Sequence, residues 1–100
     1  VTDGCFLYRT SGGKLLMIWS SFGKDGYAVG VSESVTGKVT GPWRHHPKPL
    51  FSRNGGHGML FRDFEGGLNI VMHAPNSPGG AERAVILPLE ERDDMLYVKE

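Results

Sequence analysis

The stretch Gly55-Gly56-His57-Gly58-Met59-Leu60-Phe61-Arg62-Asp63-Phe64-Glu65-Gly66-Gly67-Leu68 constrains the fold most, because it reads as a second copy of the chain's start. Laid under residues 3–14 at a shift of 57 − 3 = 54 positions, it brings Gly4 onto Gly58, Gly12 onto Gly66 and Gly13 onto Gly67. The apolar runs that follow also coincide, Leu15-Leu16-Met17-Ile18-Trp19 over Asn69-Ile70-Val71-Met72-His73. Further on, residues 27–31 answer residues 83–87 once about two positions are skipped. A period of about 50 residues holding four short strand signals is the spacing of a β-propeller blade, which packs only on its neighbours. Two blades do not close a ring. The expectation is an all-β fold of about two four-stranded antiparallel blades, spanning residues 3–50 and 55–98, with the other blades outside this sequence.

Composition supports short strands over helices. The chain has 15 Gly and 6 Pro in 100 residues, with 10% aromatics, which suits turns and pleated strands and suits helices poorly. Eleven basic and eleven acidic residues cancel, so no electrostatic footprint for nucleic acid or an anionic membrane is expected. No apolar run approaches the roughly 18 residues of a membrane span, and the Val1-Thr2-Asp3 opening lacks the charged start of a signal peptide. The one cysteine, Cys5, excludes a disulfide within the chain; its plain reading is a small buried strand residue.

Taken in order, residues 6–9 alternate large side chains, and Ser11-Gly12-Gly13-Lys14 supplies the left-handed positions that a tight hairpin needs. Residues 14–20 form an apolar run of about seven, the mark of a strand covered on both faces. A turn at residues 22–26 precedes a third strand over 27–32. The Gly41-Pro42 pair stops a ladder, since Pro donates no hydrogen bond, and an edge strand follows at 43–46. The second set of strands covers 59–64, 68–74 and 83–89. A turn at Asp93-Asp94 leads to a last strand at 95–98, either the outer edge of the second sheet or a strand that joins another blade.

These residues resemble a known family. Thr2-Asp3-Gly4, Phe6-Leu7-Tyr8-Arg9, the run from Leu15 to Phe22, Gly41-Pro42-Trp43, Gly55-Gly56-His57-Gly58-Met59 and His73-Ala74-Pro75-Asn76 together look like the C-terminal part of glycoside hydrolase family 43, the five-bladed propeller arabinosidases, arabinanases and xylosidases. The resemblance implies an inverting glycosidase acting on arabinose- or xylose-containing plant polysaccharide, with its site at one mouth of the central channel. Such a site needs one carboxylic acid to protonate the leaving oxygen and one carboxylate to activate water. In the family, the base and the carboxylate that tunes the acid come from the first two blades, which this chain does not contain. It would therefore not complete the catalytic set alone.

The family's general acid is a Glu before a Gly-Pro or Ala-Pro pair, and Asp3-Gly4-Cys5 takes that place with Asp for Glu and Cys for Pro. Asp3 is thus a candidate acid or pocket residue. His57 in Gly-His-Gly implies a calcium or sodium ion on the channel axis, held by one imidazole and waters; no organic cofactor is implied. The alternative is a buried histidine satisfied by the backbone. Trp19, His73 and Arg83 are candidate sugar contacts, against readings as core, loop anchor and surface ion pair respectively. Trp43 is expected to pack between blades, and His45-His46 to form a solvated edge. The partners implied are a carbohydrate and the rest of a propeller, or further copies of the chain; an extracellular or periplasmic location is expected. The rival functions are a carbohydrate-binding remnant without catalysis, motivated by the departures at Asp3 and Cys5, and an unrelated propeller repeat that binds proteins.

Overall fold

The computed structural model describes residues 1–99. Eight strands run in chain order: β1 Asp3–Arg9, β2 Leu15–Gly23, β3 Gly26–Ser34, β4 Trp43–His45, β5 Gly56–Arg62, β6 Leu68–Ala74, β7 Arg83–Arg92 and β8 Met95–Val98. They form two antiparallel meanders, β1-β2-β3-β4 and β5-β6-β7-β8. The fold is all-β, and no helix among the described residues is long and apolar enough to cross a membrane. β8 pairs with β7 and is the outer edge of the second sheet.

The turns follow from their residues. Gly13 at φ 97° and Gly66 at φ 87° close the first hairpin of each sheet. In each hairpin an Arg at the end of the preceding strand, Arg9 or Arg62, donates from Nη1 to the glycine carbonyl at 3.0 Å. The two sheets are copies down to this detail.

The register corrects the alignment, however. Asp3 stands opposite Ser20 and Gly56 opposite His73, so the shift is 56 − 3 = 53 and not 54. Both first strands also carry an irregularity just after that pair. There Gly4, at φ 55°, corresponds to His57, at φ 57°. Matching glycine to glycine fails by one residue because a histidine occupies the left-handed position that glycine fills in the first sheet. The later strands slip likewise. Ala28 opposite Ser21 corresponds to Arg83 opposite Ala74, a shift of 83 − 28 = 55. A slip of one residue exchanges the two faces of a strand, so this correction decides which side chains meet.

Period-two alternation sets the core. Leu16, Ile18 and Ser20 of β2, with Tyr27, Val29 and Val31 of β3, turn inward and are buried. Leu60, Leu68, Ile70, Met72, Leu89, Met95 and Leu96 of the second sheet join the first sheet's inward aliphatics in one cluster, with Phe51 from the connection. Each such aliphatic contributes about 1.5–3 kcal/mol by leaving water. On the opposite face of β2 Leu15 is buried while Met17 and Trp19 are half-buried, so the second face of residues 14–20 is covered only in part. Cys5 is exposed, contrary to its reading as a buried residue, because the irregularity in β1 puts it on that same outer face. The connection pairs back onto the first sheet through a Val29–Phe51 bridge.

The glycines around His57 are spacers for this packing. β5 lies against β1, β2 and β3. A Cβ at Gly56 would stand 2.9 Å from both Ser20 Oγ and the Tyr27 ring; one at Gly55 would stand 2.8 Å from Ala74, and one at Gly58 2.9 Å from Ile70.

Candidate functional site

The chemistry-bearing residues gather where β1 and β5 begin, at one end of the seam between the sheets. Asp3 opens β1, and its Oδ2 accepts a hydrogen bond of 2.9 Å from the Tyr27 hydroxyl. Tyr27 is 3% exposed. Its ring is held between Phe22, at 5.1 Å between centroids, and His73, stacked at 5.6 Å and 25°. Burial and then the bonded Asp3 carboxylate push the Tyr27 phenol above its ordinary pKa, with Ser20 acting against them.

Ser20 is fully buried directly opposite Asp3, and its Oγ accepts from the His57 amide at 2.8 Å. A serine on an aliphatic face is costly unless it is hydrogen-bonded, and here it ties the second sheet's first strand to the first sheet. The His57 imidazole rests over Gly4, whose missing side chain makes the room; a Cβ there would lie 2.8 Å from His57 Cδ2.

His57 is exposed, so it is not a histidine buried and satisfied by the backbone. It shares an open groove of about 540 Å³ with Met59, His73, Glu82 and Arg83. His73 anchors the loop after β6 through Nε2 to Asn76 Oδ1 at 2.7 Å, as its loop-anchor reading expects, and also lines the groove. The alternative reading of Arg83 as a surface ion pair is not met: its Nη1 donates to the carbonyls of Ala81 and Glu82, and it makes no ion pair with a carboxylate among the described residues.

Trp19 stands apart on the outer face of the first sheet. It lies over Gly30, donates from Nε1 to Ser32 Oγ at 3.0 Å and meets His45 at 5.4 Å between rings. His45 is exposed on the edge strand β4, as expected, and its Nδ1 bonds Ser32 Oγ at 2.6 Å. Trp19, Trp43, His45, Cys5 and Asp3 line a second groove of about 420 Å³. Asp3 thus lines this second groove and meets the seam through Tyr27, whereas Trp19 lies across the sheet from the pair His57 and His73.

The implied cation fits this chain poorly. A hard ion takes six to eight oxygens, and no group of three or more His, Cys, Asp or Glu able to hold a metal exists among the described residues. His57 alone supplies one nitrogen.

Tyr27 and Ser20 are neighbours of the candidate residues that the motifs did not indicate. Their signal was present: alternation places both on the aliphatic face of their strands, where a hydroxyl needs a partner.

No protein-family model matches the chain, and no curated protein does. Solved structures do match. An endo-arabinase from Bacteroides thetaiotaomicron is 48% identical over 93% of this chain and 33% of its own, with a TM-score of 0.85. A thermostable family-43 glycoside hydrolase is 26% identical over 99% of this chain and 35% of its own, with a TM-score of 0.83. An endo-1,4-β-xylanase from Bacteroides thetaiotaomicron shares the fold, at 21% identity and a TM-score of 0.77, over all of this chain and 38% of its own. The chain spans about a third of the length of each. Its fold is that of a sector of a glycoside hydrolase.

Proposed function

We propose that this chain is part of an inverting, family 43-like glycoside hydrolase that cleaves arabinose- or xylose-containing polysaccharide. The observation that carries the reading is the 48% identity to an endo-arabinase across 93% of the chain, which favours an arabinan. Asp3, His57 and His73 lie around one end of the seam, joined through Tyr27 and Ser20.

In this reading Asp3, as its carboxylic acid, gives its proton to the glycosidic oxygen as the bond to the anomeric carbon breaks. Water, activated by a carboxylate from another part of the propeller, attacks the opposite face. His73 and His57 line the sugar pocket, and Arg83 offers its remaining N–H groups to hydroxyls. A calcium or sodium ion at His57 requires oxygens from other segments and from water. An extracellular or periplasmic site of action follows from a polymeric substrate.

The test is reducing-end release from linear arabinan and from xylan by the polypeptide that bears this segment. Release from arabinan, lost in Asp3→Asn, is the expected result; no release from any pentosan defeats the reading. Cys5, standing exposed where the family has proline, favours a second reading as a carbohydrate-binding remnant. Oligosaccharide binding without turnover would select it.

A further inference from the structure

We infer that Tyr27 is a positioning residue that aims the Asp3 carboxyl at the substrate; this rests on the proposed role of Asp3. A short Asp side chain reaches less far than Glu, so its carboxyl has little slack and must be aimed in the productive direction. Tyr27 supplies that aim, and little can move it. Its ring is buried, packed by Phe22 on one side and His73 on the other. Gly56 leaves no gap, since even a methyl group there would stand 2.9 Å from the Tyr27 ring.

The hydroxyl then lies 2.9 Å from Asp3 Oδ2, which leaves Oδ1 as the oxygen free to carry the transferable proton. The groups facing the Tyr27 side chain are Asp3 of β1, Ser20 of β2 and His73 of β6. Tyr27 acts through Asp3 and touches no substrate. Geometry-limited proton transfer is sensitive to displacements of about 1 Å, so release of this hold changes the rate and not the affinity.

Tyr27→Phe keeps the ring stack and removes only the hydroxyl. In the polypeptide that bears this segment, kcat on arabino-oligosaccharides should fall about tenfold or more while KM stays within about twofold. On oligosaccharides with a nitrophenyl leaving group, which departs with little protonation, the loss should be under about threefold. An equal loss on both substrates, or none, overturns the inference.

Unchanged thermal melting shows that the variant is folded. A second measurement needs no turnover: in Asp3→Asn the Tyr27 phenol, followed by its ultraviolet absorbance, should ionise at lower pH than in the parent. An unchanged titration overturns the contact. Full activity of Asp3→Asn would sink the donor assignment itself, whereas an inactive Asp3→Asn beside a fully active Tyr27→Phe sinks only the inference about Tyr27.

Discussion

His57 holds a conformation that its side chain disfavours. Its φ of 57° lies in the left-handed region, which costs a non-glycine residue about 1–2 kcal/mol, and Gly4 occupies the corresponding place in the first sheet without that cost. Strain of this kind persists where the side chain has work to do. His57→Gly should therefore stabilise the protein by roughly 0.5–1 kcal/mol, after the added chain entropy of glycine, and should weaken oligosaccharide binding. Thermal melting and calorimetric titration read the two effects, and a lowered melting temperature contradicts the account. Gly4→Ala should do the reverse of stabilising. It combines a positive φ with a Cβ 2.8 Å from the imidazole, for a loss of roughly 2–4 kcal/mol. At this scale the sequence announced His57 through its flanking glycines, which let the backbone come close to Ser20, Tyr27, Ile70 and Ala74.

Two hairpins clasp the sheets together at the other end of the seam. The Glu91 carboxylate of β7 accepts from Tyr8 at 2.6 Å and from the amide and hydroxyl of Ser11 at 2.9 and 3.1 Å, while Asp94 accepts from Thr10 at 2.9 Å. Burial pushes the Glu91 pKa up, but the bonds from Tyr8 and Ser11, with the Arg62 charge, outweigh it and hold the carboxyl below its usual range. A depressed folded pKa stabilises above the unfolded value and is lost as pH falls through the folded one. The clasp should therefore hold at neutral pH and be lost as pH falls below the ordinary Glu range through the depressed folded value, and Glu91→Gln should cost roughly 1–2 kcal/mol at pH 7 and flatten the acid limb of a melting-temperature profile. A variant whose acid limb matches the parent's contradicts this.

Strands were readable where local signals agree. Residues 68–74 and 95–98 are strands with the expected bounds, since each is an apolar run that follows a strong turn. Register was not readable, because a glycine pattern cannot reveal that His57 stands in glycine's conformation. The clasp was likewise invisible, since Tyr8 and Glu91 lie 83 positions apart.

Across the whole molecule, one face of each sheet is buried in the shared core and the other is left apolar and open. Leu7, Met59, Phe61 and Ile86 are 40, 57, 38 and 57% exposed. Exposed apolar faces of this kind on repeat units are stacking surfaces. The chain should accordingly associate with itself as concentration rises, and Met59→Lys with Ile86→Lys should reduce the association; sedimentation velocity measures both, and a monomer at every concentration contradicts it.

The central claim is that the end of the seam bearing Asp3, His57 and His73 receives carbohydrate. Backbone amide chemical shifts during titration with arabino-oligosaccharides test it most directly. The account predicts changes concentrated at Asp3, Gly4, Ser20, Tyr27, His57 and His73; changes confined to the outer faces around Trp43 or Ile86, or no change at saturating sugar, would contradict it.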